Sequence, residues 1–410
     1  MKKIIALVLA FLMLPIFGTG LSGRATAAEE TPEGRSELLT ASEGEKSSAT
    51  DYSMNLNAKS AILMDAATGT VLYEQNPDEA LPPASVTKIM TLLLVMEAVD
   101  SGKINLSDPV TTSEAASKMG GSQVYLEPGE QMSVEEMIKC VVISSANDAA
   151  YALAEHIAGS EEAFVEQMNR RAAELGMSHT HFENTNGLDD TTSNHLISAR
   201  DIAIMSRALL SHEKILDYTT IWMDSIRGGA FTLSNTNRLV RFYPGATGLK
   251  TGSTSRALFC ISATAKRDDL HLIAVIMGAP TRDIRNAEAK KLLDYGFANY
   301  ALYTHAEEEG DPLPVRGGLQ DSIPVIVKSF SKLMKKGEEK NVTLRLSLPE
   351  YVAAPVAVGD VVGKAEYLLG DEVIGTSDVV AAAEVQKISY FEILLRLLSE
   401  IVGIEAEKKR

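Results

Sequence analysis

Cysteine is nearly absent from this chain: only Cys140 and Cys260 occur among 410 residues. Two cysteines alone cannot complete a structural zinc site, which takes four ligands. Both lie in apolar runs, so they read as buried free thiols. Positive charge is also scarce. Lys and Arg number 39 against 55 Asp and Glu, a net charge of −16. A surface this acidic disfavours nucleic acid, and no basic cluster or aromatic-interleaved basic patch is present. No G-x-S-x-G elbow occurs, which argues against an α/β-hydrolase. No phosphate-binding glycine loop and no H-E-x-x-H string occur either. His179-x-His181, with His156 and His195, is the nearest thing to a metal cluster. The pair lies in a polar turn, so these histidines read as surface residues. No metal and no cofactor are expected.

What is present begins with an export signal. Lys2-Lys3 open the chain, Ile4 to Phe17 are apolar, and Ala25-Thr26-Ala27 is an A-x-A cleavage site. The apolar run is short for a ~20-residue span, so residues 1–27 are expected to be removed and the protein exported. Residues 28–53, rich in Glu, Ser, Thr and Gly, read as a flexible linker. Residues 54–304 form the first expected domain. Ser60–Met64 and Val71–Tyr73 flank a turn and predict a β-hairpin. Ala84–Val99 predicts a helix after Pro82-Pro83, and 133–158 a second helical stretch. Helices over Glu161–Leu175 and Ser198–Leu210 follow, the latter opened by a serine cap. Leu249 onward is strand-like, Ala257–Ala265 and Leu270–Met277 predict an antiparallel hairpin, and Ala287–Tyr300 predicts a closing helix. Helices flanking antiparallel strands make an α+β fold. Glu307–Pro314 reads as a linker, and 310–386, Val-rich with period-two stretches, as a small all-β domain.

The tail, 387–410, has helical periodicity. Glu392, Arg396, Ser399, Glu400 and Gly403 share one face, and Ile388, Phe391, Leu394, Leu395, Leu398, Ile401 and Val402 cover the rest. Such a helix lies in a membrane interface rather than spanning it, and Lys408-Lys409-Arg410 could meet anionic lipid. A helix packed on the β domain or in an oligomer is the alternative.

Three short strings carry the chemistry: Ser85-Val86-Thr87-Lys88, Ser145-Ala146-Asn147 and Lys250-Thr251-Gly252. Each is weak alone, and the order and context give them weight. Ser85 sits at the start of a predicted helix, where free N–H groups favour developing negative charge. Lys88, three residues on, shares its face. A serine hydroxyl needs a base to become a nucleophile. Lysine serves only when neutral, and burial and a second cation, Lys250, lower its pKa. Ser145 reads as a proton relay to a leaving amine, and Asn147 as an amide that holds a peptide group or orients Lys88. Gly252 lets another backbone approach the strand. An extended substrate could then add to that edge, with Lys250 and Thr251 binding its carboxylate.

The strings form the set shared by penicillin-binding proteins and serine β-lactamases. With their flanks, Pro83–Thr91, Ser144–Ala150, Gly248–Gly252 and Phe182-Glu183-Asn184-Thr185-Asn186-Gly187-Leu188, they resemble the low-molecular-weight penicillin-binding proteins, the D-alanyl-D-alanine carboxypeptidases of the peptidase S11 type. The resemblance covers about residues 55–300, and the β domain and tail also look like that family's C-terminal half. It implies a serine β-lactamase/transpeptidase-like domain and acyl transfer on peptidoglycan stem peptides ending in D-Ala-D-Ala. Ser85 would attack the penultimate carbonyl, Lys88 act as base, and Ser145 pass the proton to D-alanine. Backbone N–H groups of Ser85 and Ser253 would form the oxyanion hole, and Arg285 would help hold the carboxylate. β-Lactam antibiotics would acylate the same serine, and the site would lie on the wall side of the cytoplasmic membrane. Two departures stand out: Thr247, where many relatives have an acid, and Arg256-Ala257-Leu258, where many have a glycine. A serine β-lactamase, a non-catalytic wall-binding protein and a membrane scaffold remain as alternatives. No Glu-x-x-Leu-Asn string lies between Ser145 and Lys250 to activate a deacylating water as class A β-lactamases do.

Overall fold

A computed structural model describes residues 54–190 and 192–402. The expected signal, the tether and the basic end of the tail lie outside the described residues. Ser60–Asp65 (β1) and Val71–Gln75 (β2) form the expected hairpin. The Asp65 carboxylate turns it by accepting from the N–H and hydroxyl of Thr68. Ala246–Thr254 (β3), Leu258–Arg267 (β4) and Leu270–Ala279 (β5) complete an antiparallel sheet in the order β2-β1-β5-β4-β3. β1 and β5 are buried on both faces, which is why their sequences are continuously apolar rather than alternating. Ile62, Met64, Ile273, Val275 and Met277 pack into the helical layer. Ala61, Leu63, Leu272, Ala274 and Ile276 pack the other way, with Leu292, Leu293 and Phe297 of the helix Arg282–Asn299.

The helical layer comprises Lys88–Asp100 (α1), Val134–Ile143 (α2), Asn147–Ala158 (α3), Glu161–Glu174 (α4) and Ala199–Leu210 (α5); Arg282–Asn299 is α6. α1 is apolar on nearly all sides and buried, as a central helix must be. Caps set the starts. Ser133 and Glu136 make a capping box on α2, and Ser160 and Ser198 cap α4 and α5. Three expectations are corrected. The helix read from Ala84 is a 3₁₀ turn, Ala84–Thr87, followed by α1. The stretch read as continuous over 133–158 breaks at Ser144–Ala146, where Ser145 takes φ +60°. α6 starts before Ala287, because the Thr281 hydroxyl accepts from the Ile284 N–H.

The C-terminal part is all-β, as expected. Tyr300–His305 pairs with Phe330–Lys335, and Val342–Ser347, Val361–Leu369, Glu372–Ala381, Ser322–Val327, Glu308–Arg316 and Val352–Ala353 form a six-stranded sheet in that spatial order. Its core holds Ile323, Val325, Val327 and Val379 around Tyr367, which stacks on Phe330 at 4.1 Å. Glu307–Pro314, read as a linker, is largely strand. The pairing slips between Gly310 and Leu313, so Pro312 falls in the slip, where its missing N–H breaks no ladder bond. Tyr390–Val402 (α7) ends the described chain. No helix among the described residues is long and apolar enough to cross a membrane.

Candidate active site

Ser85 lies in the 3₁₀ turn and Lys88 is the first residue of α1. Side chains three apart in a 3₁₀ turn eclipse, which brings Lys88 Nζ 3.0 Å from Ser85 Oγ. Lys88 is fully buried. Its Nζ also donates to Asn147 Oδ1 at 2.6 Å and to the Asn186 carbonyl at 2.9 Å. Asn147 Nδ2 donates to the Gly120 carbonyl, which fixes the amide with its oxygen toward Lys88. Burial, with the positive charge of Lys250 added, holds the Lys88 ammonium well below its ordinary pKa, and Asp148 opposes this in part.

The second group gathers around Lys250. It lies in the middle of edge strand β3 rather than at its start, and is fully buried. Its Nζ donates to Ser145 Oγ at 2.9 Å and to the Thr251 carbonyl at 3.0 Å. Burial, and secondarily the Arg285 charge, lowers its pKa to about 7. Ser145 reaches it from the break between α2 and α3. Thr251 Oγ1 donates to Thr236 Oγ1 at 2.8 Å. Gly252 is where the two groups meet: a Cβ there would lie 2.8 Å from the Pro83 carbonyl oxygen and 2.9 Å from the Ser85 nitrogen. The backbone approach expected at this glycine is made by the protein's own turn. Arg285, buried in α6, donates to the Cys260 carbonyl and to Asn286 Oδ1.

A cavity of about 570 Å³ opens between these groups. Ser85, Ser145, Thr251, Gly252, Ser253 and Arg285 line it, with Arg238 and Arg282 farther along. Lys88, Asn147 and Lys250 stand behind the wall, each bonded to a lining residue or to Lys88. All nine residues singled out in the sequence therefore converge.

Other contributors carried little sequence signal. Asp148, fully buried, accepts from the N–H groups of Val124 and Leu126 at 3.1 Å and anchors that segment to the start of α3. Segment 184–189 supplies the Asn186 carbonyl. Arg256 ties its far end to strand β3 by donating to the carbonyls of Asp189 and Thr192, and Thr254 Oγ1 donates to Asp189 Oδ2. The surface reading fails for His195, which is buried. The Glu183 N–H donates to its Nδ1, so Nε2–H donates to Thr87 Oγ1, whose hydroxyl donates to the Ala84 carbonyl. The ring thus braces the turn that carries Ser85. His179 and His181 are exposed, and no metal-binding cluster occurs among the described residues. Both cysteines are free and buried. Thr247 bonds to Thr264 and His271.

Two family models match the chain: D-alanyl-D-alanine carboxypeptidase over residues 45–281 and the C-terminal domain of penicillin-binding protein 5 over 302–387. The chain belongs to the D-alanyl-D-alanine carboxypeptidase family. It is 44% identical over 351 residues to D-alanyl-D-alanine carboxypeptidase DacF of Bacillus subtilis, covering 84% of this chain and 90% of the relative. Penicillin-binding protein 5 of Haemophilus influenzae superposes with a TM-score of 0.68 at 33% identity, over 81% of this chain and 98% of that one. Penicillin-binding protein D2 of Listeria monocytogenes, solved in an ampicillin-bound form, matches with a TM-score of 0.55 at 32% identity, over 60% of this chain and 98% of that one.

Proposed function

We infer that this protein is a serine D,D-carboxypeptidase that removes the terminal D-alanine from peptidoglycan stem peptides through an acyl-enzyme. One observation carries the reading: a buried lysine, whose charged form burial disfavours, stands 3.0 Å from a serine hydroxyl at the edge of a cavity that a second lysine–serine pair also borders. Neutral Lys88 has two N–H groups. Asn147 Oδ1 and the Asn186 carbonyl accept both, so its lone pair is left to accept the Ser85 proton. Protonated Lys250 has three. Ser145 Oγ and the Thr251 carbonyl take two, leaving the third for a substrate carboxylate.

Ser85 Oγ attacks the penultimate carbonyl and gives its proton to Lys88. The Ser85 and Ser253 N–H groups receive the oxyanion. Ser145, already accepting from Lys250, donates its own hydroxyl proton to the departing nitrogen and is resupplied from the lysine network. Thr251, Lys250 and Arg285 hold the terminal carboxylate while Asn147 orients Lys88. D-Alanine leaves, and water then cleaves the Ser85 ester. A β-lactam presents a cyclic amide to the same serine.

The test is intact mass of the full chain after incubation with benzylpenicillin, beside Ser85→Ala. A stable one-to-one adduct absent from the variant, together with D-alanine release from a pentapeptide, is expected. Drug consumption without an adduct would instead make it a β-lactamase. The reading extends to location: exported, on the outer face of the cytoplasmic membrane. It is supported by α7, where Tyr390 and Phe391 are 92% and 68% exposed beside exposed Leu394, Leu395 and Leu398. Removing residues 387–410 should abolish vesicle binding and leave D-alanine release intact.

A further inference from the structure

Tyr125 holds a backbone conformation that a bulky residue rarely takes, and its ring faces solvent. Its φ is +56°, in the left-handed region. Bonds on both sides fix it there. The buried Asp148 carboxylate accepts from the N–H groups of Val124 and Leu126. The Arg227 guanidinium donates to the carbonyls of Val124 and Tyr125. Val124 and Leu126 are buried, whereas Tyr125 is 68% exposed. Strain of this kind persists only where the surroundings enforce it, and it collects at ligand sites. Here the enforced feature is an aromatic ring presented to water.

The ring has a partner and polar neighbours. Phe231, from the strand pair Met223–Ile226 and Phe231–Ser234, meets it edge to face at 6.4 Å. Arg227 lies 5.6 Å from the Phe231 ring centre and pairs with Glu130 at 2.7 Å. The ion pair cancels its own charge, and both side chains stay partly exposed. The surface thus offers an apolar ring face beside hydrogen-bonding atoms, without net charge. A neutral ring that carries hydroxyl groups suits it better than a carboxylate or an amine does.

Its position says what such a ring would belong to. Ser122, three residues before Tyr125, lines the cavity, and so does Ser234, three residues after Phe231. Three residues span at most about 11 Å, and an extended pentapeptide at most about 18 Å. On the carboxypeptidase reading the end of the stem peptide occupies the cavity. The Tyr125–Phe231 corner is then within reach of the group that bears the stem's first residue, a sugar of the glycan strand.

We propose that Tyr125 and Phe231, with Arg227 and Glu130, form a glycan subsite. A pyranose of the strand that carries the stem peptide stacks on the Tyr125 ring, and its hydroxyls bond to the ion pair. The subsite rests on the carboxypeptidase reading. It adds substrate binding and leaves the acyl transfer as described, so the protein favours a stem peptide still attached to its glycan over the same peptide free.

The test compares kcat/KM for D-alanine release by the full chain on a free pentapeptide and on the same pentapeptide linked to its glycan disaccharide. The native protein should favour the linked form by about tenfold, mainly through KM. Tyr125→Ala should bring the ratio close to one. Alanine meets the same left-handed backbone as tyrosine, so the variant removes the ring and adds no new strain. Tyr125→Phe, which keeps the ring face, should retain most of the preference. A native ratio near one overturns the subsite while D-alanine release stands. So does an unchanged ratio in Tyr125→Ala with lowered Tm, which would make the ring only a clasp between its segment and the Phe231 strand pair. No D-alanine release from either substrate, with no penicillin adduct, overturns the carboxypeptidase reading and the subsite with it.

Discussion

Gly187→Ala tests whether segment 184–189 holds the nucleophile's turn in place. Gly187 has φ +84°, and a Cβ built there would sit 1.9 Å from the Ala84 carbonyl oxygen, 2.4 Å from its carbon and 2.8 Å from Thr87 Oγ1. Ordinary contact begins near 3.4 Å, so the turn must retreat by about 1.5 Å or the segment must move away. Ala84 cannot yield easily, since it already holds φ +50° and is followed directly by Ser85. The left-handed conformation costs alanine about 1–2 kcal/mol, and overpacking costs about 1–3 kcal/mol more. The sum, about 2–5 kcal/mol, lowers Tm by about 5–15 °C at the scaling for domains of this size. Either route also displaces a reacting group. Moving the turn shifts Ser85, and moving the segment withdraws the Asn186 carbonyl from Lys88. A misplacement of ~1 Å can cost ~10²-fold in rate. Benzylpenicillin acylation, measured well below Tm so that the fold stays populated, should therefore fall by about that factor. Unchanged Tm with acylation within about threefold of the native protein would refute the collision. Lowered Tm with unchanged acylation would refute the coupling between segment and nucleophile.

Two further outcomes follow from buried charge. Asp148→Asn points an amide at two backbone donors, and should cost about 2–4 kcal/mol by leaving buried groups unsatisfied. It also removes the negative charge that favours protonated Lys88, so the acid limb of the acylation–pH profile should move to lower pH. A limb that moves up, or stays while Tm falls, would contradict that sign. His195 has its folded pKa lowered by burial to about 4 from 6.5. The unfolded chain binds that proton first as pH falls, so stability is intact above about 6.5 and declines toward 4, by about 3 kcal/mol for this group. His271, also lowered by burial to about 4, adds a decline of the same sign. Chemical denaturation at pH 7 and pH 4 should show the loss, and His195→Gln should reduce it; an equal loss in the variant would assign it elsewhere.

Sequence separation decides which parts of this protein can be read before the fold is known. Ser85 and Lys88 are legible because one turn of backbone sets their distance, so spacing in the chain is spacing in space. A lysine opening the apolar run of α1 is buried there, and that burial is the first cause that lowers its pKa. The caps of α2, α4 and α5 and the β1–β2 hairpin are local in the same sense. The partners of Lys88 are not. Asn186 contributes a main-chain carbonyl from 98 residues away, and a carbonyl has no side-chain signature. His195 looks like a surface residue among polar neighbours, until the fold brings Thr87 to one nitrogen and the Glu183 N–H to the other. The break at Ser145 was hidden by apolar residues on both sides, although the positive φ there is what points the hydroxyl group's backbone out of the helical line toward Lys250. Arg238 and Arg282 were ordinary arginines in sequence. Their place on one cavity exists only because α6 and the segment before β3 close on it together. A site of this kind is therefore half local and half global: the reacting pair is written into adjacent residues, while the groups that tune its charge and select its substrate come from whichever distant segments the sheet and helices bring alongside.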